Sequence, residues 1–248
     1  MKKINYFVGF ALATVLLSGC DVLQETANTV LTTPTEGDTK PKLTNDEVIA
    51  GLKEALTVGI TNAVDLTSAK DGFLGNTAIA LPFPESANNM REKAIEWGLE
   101  NQVNQIVETI NRAAEDASKE AAPIFVNAIK NMSISDGFNI LNGGEGAATK
   151  FLRDNTASQL IEAFSPKVQE SIERVKLTEY WNPVMTRYNQ AIRFTGGEQV
   201  ETDLNRYVTE RAVDGLFHMV EQEENKIRLN PAARVTDLLS KVFGSLTN

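Results

Sequence analysis

Cysteine occurs once in this sequence, at Cys20, and histidine once, at His218. A single thiol permits no disulfide within the chain and no zinc site built from several cysteines. A single imidazole means that any mechanism using a histidine base must pass through His218. Positive charge is also scarce: 24 lysines and arginines face 33 acids, for a net charge of −9. An acidic chain is repelled by phosphate backbones, which argues against nucleic acid as a partner. It also argues against adhesion to anionic lipid through a basic face. Gly-x-Ser-x-Gly, a Walker loop and His-Glu-x-x-His are all missing. Beyond the N-terminus, no apolar run approaches the length needed to span a bilayer.

The N-terminus itself is different. Met1-Lys2-Lys3 is followed by a mostly apolar run from Ile4 to Leu17 and then by Leu17-Ser18-Gly19-Cys20. A basic start, a short apolar run and small residues at a cut site make a secretory signal. Its ending resembles the lipobox of bacterial lipoproteins. The resemblance implies a diacylglyceryl group on the Cys20 sulfur, cleavage between Gly19 and Cys20, and acylation of the new amino group, commonly with palmitate. Each buried methylene contributes about 0.8 kcal/mol, so two or three chains hold firmly where one binds reversibly. The lipid would also remove the lone thiol from chemistry. Asp21 resembles the inner-membrane retention signal of enterobacterial lipoproteins, which tilts the address without deciding between inner and outer membrane. The expected location is the cell envelope, facing the periplasm, with the bilayer as a partner through acyl chains on Cys20. Loss of residues 1–19 removes Lys2 and Lys3 and no acid, leaving the mature chain more acidic still.

Residues 20–43 are polar, threonine-rich and punctuated by Pro34 and Pro41, the composition of a flexible tether. The globular part opens at Thr44 and is expected to run to Gly244, leaving 245–248 as a tail. Thr44-Asn45-Asp46-Glu47 is a capping box, and Val48, Leu52, Ala55, Leu56 and Ile60 follow at helical spacing. Val103, Ile106, Val107, Ile110, Ala113, Ala114 and Ala117 repeat the period, with Glu108, Arg112 and Asp116 as a charge series on another face. Ser165-Pro166 and Asn230-Pro231 each read as a helix start. Asp203 to Arg228 reads as the longest helix, and a last one, from Ala232 or Thr236, stops at Gly244.

Only residues 72–84 break the pattern. Asp71-Gly72-Phe73-Leu74-Gly75-Asn76 is turn chemistry, and Ile79, Leu81 and Phe83 then alternate with Ala80, Pro82 and Pro84. This predicts an extended excursion with one buried face, or an edge strand, since proline excludes a central one. The fold expected is all-α: a single domain of about seven to ten helices with that one excursion.

Several strings carry a family resemblance. They are Leu-Thr-Asn-Asp-Glu-Val-Ile-Ala-Gly-Leu-Lys-Glu-Ala-Leu at 43–56, Asp-Gly-Phe-Leu-Gly-Asn at 71–76 and Ile-Leu-Asn-Gly-Gly at 140–144. Tyr-Val-Thr-Glu-Arg-Ala-Val-Asp-Gly-Leu-Phe at 207–217 and Asn-Pro-Ala-Ala-Arg-Val-Thr-Asp-Leu-Leu at 230–239 complete the set. Together they resemble the bacterial family called domain of unknown function 4197, over about 44–244. The resemblance implies a helical, exported protein of Gram-negative bacteria. It implies no activity, no catalytic residue and no cofactor.

Two constellations invite a chemical reading. Gly144-x-Gly146-x-x-Thr149, followed by Lys150, is a near miss to the dinucleotide fingerprint, which requires a preceding strand. Here Ser135 to Leu141 reads as a short helix, and the glycines as a turn. A helix opening after them still offers backbone N–H groups to a small anion, so Gly144, Gly146, Thr149 and Lys150 are the anion-site candidates. Asp214, His218, Glu221 and Asn225 share one helical face and resemble a metal-ligand strip. The apolar residues of that helix lie opposite, so the strip reads as a solvated face, with no metal expected. Tyr207 lies near it. None of the three Asp-Gly pairs sits in an EF-hand pattern. Trp97, Tyr180, Trp181 and Tyr188 read as core aromatics.

Three functions remain open. The first is a non-catalytic interaction or binding module of the envelope, engaging a protein or a small ligand. The second is a carrier of an apolar or amphiphilic ligand between helices. The third is an envelope enzyme with a site hidden from sequence, using carboxylates, Thr149 or His218.

Overall fold

A computed structural model describes residues 44–174, 176–194, 200 and 203–230. The signal, Cys20, Asp21, the tether, the helix expected after Asn230-Pro231 and the tail lie outside the described residues. Within them are eight α-helices and no strand: α1 (Asn45–Ser68), α2 (Asn88–Glu96), α3 (Glu100–Ser118), α4 (Ala121–Asn131), α5 (Ile134–Asn142), α6 (Ala147–Arg174), α7 (Leu177–Ile192) and α8 (Leu204–Leu229). None of these helices is long and apolar enough to cross a membrane.

α8 packs against α1, α3 and α6, and α7 closes on α2 and α3. Their facing stripes supply the core: Leu52, Ile60, Ile106, Ile110, Leu152, Phe164, Leu216 and Phe217 are each almost wholly buried. The Phe125 and Phe217 rings meet edge to face, 5.6 Å apart. The expected capping box opens α1: Thr44 Oγ1 accepts from the Glu47 amide at 3.2 Å, and the Glu47 carboxylate accepts from the Thr44 amide at 2.8 Å. Ser133 and Asp136 repeat the device at α5.

Pro166 departs from expectation. It does not start a helix; α6 runs through it for 28 residues and is longer than α8. An interior proline costs about 3 kcal/mol by removing one hydrogen bond. Leu160, Phe164, Val168 and Ile172 lie on one buried face spanning the proline, each contributing about 1.5–3 kcal/mol of burial, which keeps both halves in one helix. Asn205 of α8 braces the turn. Its Nδ2 donates to the Ser165 carbonyl at 2.8 Å, and Ser165 Oγ donates to Asn205 Oδ1 at 2.9 Å.

The excursion between α1 and α2 buries Ile79, Leu81 and Phe83 as expected, but it is not extended throughout. It winds through turns as far as Ile79, where the Ile79 and Ala80 amides both donate to the Asn76 carbonyl, at 3.1 and 2.8 Å, and only the residues from 80 to 84 follow without a hydrogen-bonded turn. It is not a strand, because no second strand pairs with it among the described residues. A side chain takes the place of one. Asn111 of α3 accepts from the Leu81 amide and donates to the Leu81 carbonyl, both at 2.8 Å. On the other side, the Tyr207 hydroxyl donates to the Pro82 carbonyl at 2.9 Å. The turn leading in is tied down by Glu115, a buried carboxylate that accepts from the Phe73 and Leu74 amides at 3.2 and 3.3 Å. Gly72 is required there, since a Cβ would lie 2.2 Å from the Leu66 carbonyl oxygen.

Candidate binding groove

The excursion, α2 and α3 together frame a groove of about 540 Å³. Leu74, Pro82, Phe83, Val103 and Val107 form its apolar wall, and Asn88, Arg91, Asn104 and Glu108 stand around it. The volume lies in the range of small-molecule and peptide-end sites. Its framework is rigid. Phe83 stacks on the buried Trp181 with ring centroids 5.5 Å apart, and Asn111 pins Leu81 to the helix carrying Val103 and Val107.

Asn88, Arg91 and Asn104 are exposed, and none makes a side-chain hydrogen bond or ion pair among the described residues. Glu108 is engaged, if loosely, 3.7 Å from Arg112. Arg112 is the hub of the adjoining charges. Its guanidinium meets Glu115 at 2.9 Å and Asp71 at 2.7 Å, and these bonds push its pKa up. Asp116, expected in series with Glu108 and Arg112, turns to other partners. Burial pushes its carboxyl up, but hydrogen bonds from Lys119, Ser171 and Arg174 outweigh that and hold it at about 2. Burial also raises the Tyr207 hydroxyl.

The glycine-rich loop does precede a helix N-terminus, and Gly144 and Gly146 both take positive φ, +77° and +72°. A carboxylate of the chain itself lies there. Glu224 of α8, almost fully buried, accepts from the Ala148 amide at 3.0 Å and from the Thr149 amide and hydroxyl at 2.8 Å each. Arg228 Nε donates to the same carboxylate at 2.9 Å. Lys150 faces away and pairs with Asp154 at 2.6 Å.

On α8, Asp214, His218 and Glu221 are exposed, on the solvated side. Asp214 pairs with Arg153 at 2.8 Å, and His218 Nε2 lies 2.9 Å from Gln222 Nε2. Glu221 borders Gly146, where a Cβ would lie 3.2 Å from its Oε1. Asn225 Oδ1 is buried without a partner. No group of three or more acidic, histidine or cysteine side chains suited to a metal occurs among the described residues. Trp181 and Tyr188 are core residues; Trp97 and Tyr180 are partly buried against the core. Arg187 lies over the Trp97 ring, 4.9 Å from its centroid.

Asn111, Glu115 and Glu224 were not among the residues singled out from the sequence, although Asn111 and Glu224 leave a signal there. Asn111 sits between Val107 and Ala114, and Glu224 between Val220 and Ile227, at positions where the helical period calls for an apolar residue. A polar residue in an apolar stripe must find a partner or bear the cost of desolvation. The rim of Asn88, Arg91 and Asn104 has no such signal, because it exists only once α2, α3 and the excursion meet.

No curated protein and no solved structure is detectably similar to the chain. The profile of the family described as protein of unknown function (DUF4197) matches residues 42–244. The match spans the whole helical domain, and the chain belongs to that family.

Proposed function

We propose that this protein is a lipid-anchored, non-catalytic binding module of the bacterial envelope, and that the groove between the excursion, α2 and α3 is its binding surface. The carrying observation is the contrast within the domain. The buried carboxylates Glu115, Glu223 and Glu224 all bond to groups of the chain itself, whereas Asn88, Arg91 and Asn104 line an open groove and make no side-chain hydrogen bond or ion pair among the described residues. The anchor rests on Leu17-Ser18-Gly19-Cys20, and facing the periplasm follows from it. Asp21 favours the inner membrane where enterobacterial-type sorting applies.

The internal-carrier reading has less to support it. The space between α1, α6 and α8 is about 20 Å³, room for about one water and far short of an acyl chain.

Two measurements test the proposal. Radiolabelled palmitate incorporated by the wild-type chain, and by Cys20→Ala not at all, is expected from the anchor; equal labelling of both discards it. A photo-crosslinking residue at Asn104 is expected to trap a discrete envelope ligand or partner in cells. Val107→Glu in the groove wall should abolish the adduct while the domain stays folded by circular dichroism. Adducts of unchanged pattern in that variant would remove the groove from the proposal.

A further inference from the structure

We draw no further inference here: the strongest candidate, the cradle at the N-terminus of α6 where the Ala148 and Thr149 amides, the Thr149 hydroxyl and the Arg228 guanidinium converge, is filled by the chain's own Glu224 carboxylate, and nothing else among the described residues there points to a ligand from outside.

Discussion

The Glu224 carboxylate caps α6 at Thr149, taking both its amide and its hydroxyl at 2.8 Å. A helix N-terminus gathers unpaired N–H groups and partial positive charge, and α6 satisfies it with a side chain from α8. The contact joins residues 75 positions apart and adds Arg228 on its far side.

Removing that carboxylate should be costly. Glu224→Ala takes the acceptor from the Ala148 and Thr149 donors and removes the ion pair of Arg228, which keeps its bond to the Ile140 carbonyl, in a site where both side chains of the pair are nearly buried. Breaking such a pair costs about 3–5 kcal/mol. The hole left behind has the shape and donors of a small carboxylate, so formate should restore part of the loss. Urea unfolding of the variant in sodium formate, against sodium chloride at equal ionic strength, checks this. Identical midpoints in the two salts would show that no anion site is left.

Asn111 is expected to matter through Leu81. Asn111→Leu keeps the branched shape, though with bulkier methyl groups, and strands the Leu81 amide and carbonyl, each costing about 1–3 kcal/mol when buried and unpaired. The variant should lose stability of that order, and the Leu81 amide should exchange with solvent much faster than in wild type. Hydrogen exchange read by NMR distinguishes this from a uniform loss of stability, which would accelerate the core amides of α3 equally.

Gly215 gives a steric prediction. A Cβ there would lie 2.7 Å from Phe73 Cε1 and 3.2 Å from Ile79 Cβ, against a ring that is fully buried. Gly215→Ala should therefore destabilise by about 1–3 kcal/mol, although alanine is the better helix former. Trimming the ring in Phe73→Leu/Gly215→Ala should cost less than the sum of the single changes. Additive losses in a double-mutant cycle would argue against the contact.

Asp116 sets an acid limit. Its carboxyl falls from 3.8 to about 2 in the fold. A depressed folded value stabilises fully above the unfolded value and is lost as pH falls through the folded one, so the window runs from 3.8 down to about 2. Asp116→Asn should flatten the fall of the melting temperature across that window. Some slope will remain, because Asp136, bonded to Ser133, is also held low. An unchanged profile would mean that Asp116 titrates alike in the folded and unfolded chain.

Much of the architecture was legible in the chain. The capping box at Thr44, the apolar stripes of α1, α3 and α8 and the one-sided burial of Ile79, Leu81 and Phe83 are local properties of spacing. What was not legible was set by contacts between distant segments. Pro166 reads locally as a start, and only the buried face running from Leu160 to Ile172, with Asn205 behind it, makes it interior. Gly144 and Gly146 read as a turn before a helix whose N-terminus was a candidate for a small anion; that a residue 75 positions from Thr149 would reach its amide follows from the α6–α8 packing alone. The groove is further from sequence still, since its wall and rim come from three elements.

The bracket around the excursion has one more consequence. An extended segment with free amides and carbonyls is a template on which another chain can zip. Asn111 takes both hydrogen-bonding groups of Leu81, Pro82 has no amide to offer, and Tyr207 occupies its carbonyl. At its centre the segment thus lacks the adhesiveness of a strand edge. Two copies of the domain that meet at Leu81 and Pro82 find no free edge to pair with.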